Sequence, residues 1–182
     1  PDKVKFAWAF YDWANSVYSL VISTAIFPIY YESVTAGENT DQIEFLGHTF
    51  TNTALYAYTM SLSFFIVALM SPLLSSIADA SGKKKSFMKF FCYLGAVSCA
   101  SLFFFEGPNL WLGLTASLFA SIGFSGSLVF YNAFLPEIAP FEEQDSLSAK
   151  GFSLGYLGST LLMVLNLLMI QKPEWFSMTN SL

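Results

Sequence analysis

The sequence predicts an all-α integral membrane protein with five complete transmembrane helices. Only 12% of its 182 residues are charged and 54% are hydrophobic, whereas an ordinary soluble domain carries about 25% charged residues. The ionisable residues are clustered along the chain and leave five windows almost free of charge. Four of these windows reach the roughly 20 apolar residues that a helix needs to cross the hydrocarbon core, and the other comes close.

The first two helices follow from the longest runs without charge. Residues 13–31 carry no charged side chain after Asp12. Residues 45–78 carry none except His48, and the apolar part of this window starts near Ala54. Both runs are long enough to span a bilayer as a helix.

The remaining three helices follow from shorter windows. Residues 90–105 reach the required length when 86–89 form the first turn and Lys89 extends to the interface. Residues 107–136 and 151–171 are long enough alone. The predicted helices cover about 8–31, 53–79, 86–105, 109–135 and 148–171 of a domain that spans 1–182.

Composition also excludes several classes of protein. A disordered chain, a basic nucleic-acid-binding protein and most cytosolic enzymes do not fit this charge and hydropathy, and the net charge is −5. A soluble fold around five apolar helices would need a larger polar shell than 182 residues supply. The single His48 and the two cysteines, Cys92 and Cys99, form no set with metal-ligand spacing. We therefore predict no enzyme activity, no cofactor, no metal site and no nucleic-acid partner.

Lysine placement predicts the orientation. All eight basic residues are lysines, and seven of them lie before span 1, between spans 2 and 3, or before span 5. Only Lys172 lies on the other side. Because cytoplasmic loops carry an excess of basic residues, the N-terminus is expected in the cytoplasm.

Span 1 carries a polar stripe. At 100° per residue, one arc of about 100° holds several polar side chains. They are Asp12, Asn15, Ser16, Ser19, Ser23 and Tyr30. Such a stripe either lines a solute pathway or forms hydrogen bonds between helices. For Asp12 alone, a helix cap, an ion pair with a lysine and a role in proton coupling all stay open.

Spans 4 and 5 carry small and polar residues at helical spacing. Ser117, Ser121 and Ser125 lie four residues apart, and Asn132 continues that side of span 4. Span 5 opens with glycines at 151, 155 and 158, a spacing typical of closely packed helices. Asn166 lies deeper and is a candidate for a cavity or for an interhelical hydrogen bond.

The turn between spans 2 and 3 is the strongest motif. Asp79 ends an apolar helix, Gly82 supplies a tight turn, and Lys83, Lys84 and Lys85 follow. The simpler interpretation is a positively charged hairpin. The turn resembles the signature loop of the major facilitator superfamily, G-x-L-x-D-R-x-G-R-K-x-x, in which Asp79, Gly82, Lys83 and Lys84 match.

The loop also departs from that signature, with Ser75 for the first glycine, Ile77 for the leucine and Ala80 for the arginine. Three further segments resemble the vacuole-effluxer-like permeases, an autophagy-related branch with many bacterial members. They are Trp-Ala-Phe-Tyr-Asp-Trp-Ala-Asn-Ser at 8–16, Tyr-Asn-Ala-Phe-Leu-Pro-Glu-Ile-Ala at 131–139 and Gly-Phe-Ser-Leu-Gly-Tyr-Leu-Gly at 151–158. The resemblance covers about 8–168.

This resemblance implies a twelve-helix secondary transporter made of two six-helix halves. The chain would supply five helices of the six-helix N-terminal half, and the C-terminal half of the same permease would be its partner. Such a permease would move a small polar solute by alternating access, with coupling to protons. An amino acid is the default substrate by analogy with the fungal members.

The resemblance also implies roles for named residues. The substrate pathway would include Asp12, Asn15, Ser19, Ser23, Tyr30, Asn132 and Asn166. The gating loop would be Asp79, Gly82, Lys83 and Lys84. The protein would lie in the plasma or inner membrane, or in the vacuolar membrane of a fungus. The alternative is a non-transporting membrane scaffold or sensor subunit, in which the polar stripes only hold helices together.

Overall fold

The structure, a computed structural model, describes residues 2–37 and 41–176. It is almost entirely helical, and five helices are long and apolar enough to cross a membrane. This confirms the predicted fold class. The spans are Asp2–Thr35, Asn52–Ser81, Lys84–Phe104, Leu110–Ile138 and Phe141–Gln171. Residue 1, loop residues 38–40 and the end of the predicted domain at 177–182 lie outside the described residues.

Span 1 is a composite helix. It consists of α1 (Asp2–Val17), a π-helical segment (Tyr18–Ile26) and α2 (Phe27–Thr35). Pro28 lies in the first turn of α2 and has no amide hydrogen, so the hydrogen-bond pattern has to change upstream of it. The hydroxyl of Thr24 donates to the carbonyl of Ser19, five residues earlier, at 2.7 Å, which matches the wider turn of a π-helix.

The other spans are α3 (Asn52–Ser81), α4 (Lys84–Ser101) with a 3₁₀ turn (Leu102–Phe104), α5 (Leu110–Ile138) and α6 (Phe141–Gln171). A short 3₁₀ helix, Pro173–Phe176, follows α6. A hairpin of two antiparallel strands, β1 (Gln42–Phe45) and β2 (His48–Thr51), precedes α3. The hairpin turns at Leu46 and Gly47, both with positive φ.

The chain forms two compact units. The first contains the described residues 2–24 and 136–176, and so joins α1 to α6. The second contains residues 25–135, with α2, the hairpin, α3, α4 and most of α5. A core of Ala78, Phe91, Ile122 and Phe130 lies in the second unit.

Glycine controls the helix packing of the second unit. A Cβ atom on Gly123 of α5 would lie 2.4 Å from the amide nitrogen of Gly95 in α4. A Cβ atom on Gly126 would lie 2.4 Å from the ring of Phe91. The two helices therefore touch backbone to backbone, as small residues allow in membrane proteins.

Candidate functional site

The candidate site lies where α1 packs along α6 in the first unit. The buried residues of α1 are Trp8, Ala9 and Asp12. Those of α6 are Leu147, Gly151, Gly155, Gly158 and Ser159. Both sets follow helical spacing, so each helix presents one stripe to the other. The glycines of span 5, predicted to allow close packing, are in this stripe.

Asp12 is a buried acidic residue of this interface. Only 5% of its surface is exposed, and it accepts a hydrogen bond of 3.2 Å from the hydroxyl of Ser16. A Cβ atom on Gly155 would lie 2.5 Å from the hydroxyl oxygen of Ser16 and 3.1 Å from a carboxylate oxygen of Asp12. The absence of a side chain at Gly155 therefore leaves room for these two polar groups.

Two of the three alternatives for Asp12 do not fit this geometry. Because α1 begins at Asp2, Asp12 lies well inside the helix and is not its cap. Among the described residues, no ion pair joins a lysine to its carboxylate, whereas Lys5 pairs with Glu143 and Lys84 pairs with Asp79. Asp12 is thus a buried carboxylate in a membrane span, a feature typically associated with ion or substrate pathways.

The other polar residues of span 1 do not all lie in the same type of helix. Asn15, Ser19 and Ser23 are all half-buried. Ser19 and Ser23 lie in the π-helical segment, where the 100° spacing of the predicted arc does not apply. In the second unit, the hydroxyl of Tyr30 donates to the carbonyl of Phe105 at 2.8 Å. The structure brings Asp12 and Ser16 together, whereas Tyr30 has a contact of its own.

The polar residues of spans 4 and 5 have different surroundings. Ser117 and Ser121 are buried, and Ser121 accepts a hydrogen bond of 2.7 Å from the hydroxyl of Ser63 in α3. Asn132 is exposed, and Asn166 is half-buried. Sequence reasoning did not select Ser63. The signal that could have found it was a serine within an apolar span, which needs a polar partner.

The loop between α3 and α4 is held by backbone hydrogen bonds and by the ion pair of Asp79 with Lys84. Gly82 adopts the left-handed conformation, at φ 64°. Its amide donates to the carbonyl of Asp79, and the amide of Lys83 donates to that of Ala78. These two bonds form a Schellman motif, which ends α3. The carboxylate of Asp79 pairs with the ammonium of Lys84 at 2.7 Å, so Asp79 contacts a cation of its own loop.

Five apolar spans, a carboxylate buried between two of them and a basic turn describe a polytopic membrane protein. The comparison with known proteins then gives the family. The model of the family described as "Vacuole effluxer Atg22 like" matches residues 2–182. The chain belongs to that family, as the sequence motifs predicted.

Its relatives extend this result. The chain is 40% identical over 168 residues to "Uncharacterized MFS-type transporter YxiO" of Bacillus subtilis. The aligned region covers 92% of the chain and 38% of the relative. It is 23% identical to an uncharacterized protein of Aquifex aeolicus, over 94% of the chain and 40% of the relative. It is 30% identical to autophagy-related protein 22 of Gibberella zeae, over 60% of the chain and 17% of the relative.

The family description refers to a vacuole effluxer, one relative is named an MFS-type transporter, and five described helices are long and apolar enough to cross a membrane, which fits an integral membrane protein. The chain spans about two fifths, or less, of the length of the curated relatives it matches. No solved structure matches the chain at a significant level.

Proposed function

We propose that the chain is the N-terminal part of a secondary transporter that moves a small polar solute by alternating access. The observation that carries the proposal is the buried Asp12, which has a hydroxyl partner but no described lysine within ion-pairing distance. A buried carboxylate without a counter-charge is costly, so Asp12 is more stable when it binds a proton or a cation. A site that couples solute transport to an ion gradient has to bind a proton or a cation in this way.

The substrate class is proposed by analogy. The fungal relatives are autophagy-related proteins, and the family description refers to a vacuole effluxer. We take an amino acid as the first substrate to test. Asn15, Ser19 and Ser23 of span 1 supply polar groups to a solute path, and Asn166 of α6 is a further candidate.

The coupling role can be tested with the full-length permease that carries this chain. The purified permease is reconstituted into liposomes, and uptake of labelled amino acids is measured under an imposed pH gradient. Asp12→Asn should abolish gradient-driven uptake and leave solute exchange at equal concentrations on both sides, because exchange requires no net proton movement. Asp2→Asn is the control, since Asp2 is exposed at the start of the same helix. Full gradient-driven uptake by Asp12→Asn would refute proton coupling at this residue.

The solute path is tested separately. Asn15→Leu and Asn132→Leu remove two predicted pathway amides, and both should lower the rate of exchange with unchanged expression. Tyr30→Phe serves as a comparison, because the hydroxyl of Tyr30 bonds to a backbone carbonyl. Unchanged exchange in the two asparagine variants would favour the alternative, a membrane scaffold or sensor in which the polar residues only join helices.

The loop is proposed to act in gating. Asp79, Gly82, Lys83 and Lys84 are the positions at which the loop resembles the signature loop of the major facilitator superfamily. Asp79→Asn should slow exchange more than it weakens solute binding. Normal turnover with reduced affinity would contradict a gating role.

The orientation remains a proposal that rests on the lysine distribution. In a variant without Cys92 and Cys99, single cysteines are placed at Leu46 in the hairpin turn and at Lys85 in the loop. A membrane-impermeant maleimide applied to intact cells should label the first position only. Labelling at Lys85, or at both positions, would reverse or reject the orientation.

A further inference from the structure

An apolar cleft lies between α3 and α4, next to the turn at Gly82. Its volume is about 400 Å³. The apolar side chains that line it are Met70, Leu74, Phe87, Phe90 and Phe91. Phe90 is 61% exposed, so the cleft is open towards the surroundings of the helices. In a membrane-spanning pair of helices those surroundings include lipid.

One end of the cleft is cationic. Lys83 and Ser86, in the turn and the first turn of α4, complete its lining. Lys85 and Lys89 follow on the same helix. Among the described residues, Lys84 pairs with the carboxylate of Asp79, whereas Lys83, Lys85 and Lys89 form no ion pair. The positive charge beside the cleft is therefore largely uncompensated.

The amino end of α4, where these lysines lie, also carries no negative side chain. Helix α4 has no acidic residue in its first turn and no side-chain cap, although a helix N-terminus favours negative charge. Because α3 and α4 are spans joined by this turn, the turn lies at the membrane–water boundary, where lipid phosphates are found. An apolar cleft with a cationic mouth at that depth is complementary to an anionic phospholipid.

We propose that the cleft binds one anionic phospholipid. Its phosphate contacts the ammonium of Lys83 and the hydroxyl of Ser86, and an acyl chain lies along the aromatic side chains of α4. A protein helix could fill the apolar part but would place no obligatory anion at Lys83. The proposal concerns lipid binding alone and stands whether or not the permease moves an amino acid.

The test compares two lipid probes on the full-length permease. The protein is placed in phosphatidylcholine vesicles that contain a small fraction of either photoactivatable phosphatidylglycerol or photoactivatable phosphatidylcholine with the same acyl chains. After irradiation, labelled peptides are mapped by mass spectrometry. The phosphatidylglycerol probe should label the segment 70–91 several-fold more than the phosphatidylcholine probe. Equal labelling by both probes, or labelling by neither, would overturn the proposal without any variant.

Variants then separate a defined site from general surface charge. Lys83→Gln should reduce labelling by phosphatidylglycerol about fivefold, the effect of roughly one basic residue near a lipid surface. Lys85→Gln makes the same change of charge next to the cleft but outside its lining, and should reduce labelling less. Leu74→Trp fills the cleft and should also remove the preference for phosphatidylglycerol. Equal losses in Lys83→Gln and Lys85→Gln would indicate surface attraction only and would overturn the proposed site.

Discussion

Two pairs of helices pack through glycine in this protein, and they do so in different ways. Between α4 and α5, Gly123 lies against the backbone of Gly95. Between α1 and α6, Gly155 lies against the side chains of Ser16 and Asp12, and Gly158 lies against the ring of Trp13. The first contact cannot yield without moving a helix, whereas the second can yield by rotating side chains.

This difference separates a fixed contact from an adjustable one. The α4–α5 contact is surrounded by apolar and aromatic groups, such as Phe91 stacked on Phe130 at 5.9 Å. The α1–α6 contact contains a buried carboxylate and a hydroxyl. Polar groups whose hydrogen bonds can change are better suited to a transport cycle than backbone contacts, so we expect function to depend on the second pair and folding on the first.

The largest effect is expected from Gly123→Ala. The new Cβ atom would lie 2.4 Å from the nitrogen and 2.5 Å from the Cα of Gly95, so the helices have to separate. We expect a loss of about 2–3 kcal/mol in the free energy of unfolding, a typical cost of overpacking. Unfolding in sodium dodecyl sulfate, followed by tryptophan fluorescence, measures it.

Gly95→Ala is the matched control for this prediction. A Cβ atom there meets its nearest atoms, in Gly123 and Phe124, at 3.5 Å, an ordinary contact. Since alanine in a helix is favoured over glycine by roughly 0.5–1 kcal/mol, this variant should be neutral or more stable. Equal destabilisation by the two variants would contradict the proposed backbone contact.

Gly155→Ala should lower the free energy of unfolding less than Gly123→Ala does, and a second substitution should restore part of the loss. Its Cβ atom would lie 2.5 Å from the hydroxyl oxygen of Ser16, a side chain that can rotate. We expect a loss of about 1 kcal/mol, at the low end for overpacking. Adding Ser16→Ala removes the oxygen and should restore part of the stability.

Gly158→Ala shows whether that rescue is specific. Its Cβ atom would meet the ring of Trp13 at 2.9 Å, away from Ser16. Ser16→Ala should therefore not rescue it. If Ser16→Ala improved both glycine variants equally, the local contact between Gly155 and Ser16 would not be the cause.

The spans and the family could be predicted from the sequence because both depend on local signals. A window of about 20 apolar residues without charge indicates a span from its own length and composition. The loop motif and three short segments were sufficient to indicate the family. Asp12 could also be selected, since an acid in an apolar run is conspicuous. Its position against Gly155 could not, because that contact joins residues 143 positions apart in the sequence.

Two local elements were not predicted, for physical reasons. The π-helical segment changes the angular spacing of Ser19 and Ser23, and a periodicity calculation assumes an α-helix throughout. The hairpin turns at Leu46 and Gly47 with φ of 54° and 75°. Asparagine or aspartate before the glycine is the usual signal of such a turn. Leu46 stands in that position, so this signal is absent from the sequence.

A hydrogen bond joins two spans of the second unit. Ser63 of α3 donates to Ser121 of α5 at 2.7 Å, and both residues are buried. A double-mutant cycle with Ser63→Ala and Ser121→Ala should give a coupling of about 0.6 kcal/mol, the average for interhelical hydrogen bonds in membranes. A coupling indistinguishable from zero would mean that each hydroxyl is satisfied by its own helix.

The smallest effect is expected from the ion pair between Lys5 of α1 and Glu143 of α6. The carboxylate side chain is 56% exposed, so water and salt screen the attraction. Lys5→Gln and Glu143→Gln should each change the free energy of unfolding by less than about 1 kcal/mol, with a coupling that falls as salt is added. Unfolding measured at low and high ionic strength checks this. A larger, salt-independent coupling would mean that the ion pair, rather than the glycine stripe, holds α1 to α6, and the adjustable contact around Asp12 would then have to be reconsidered.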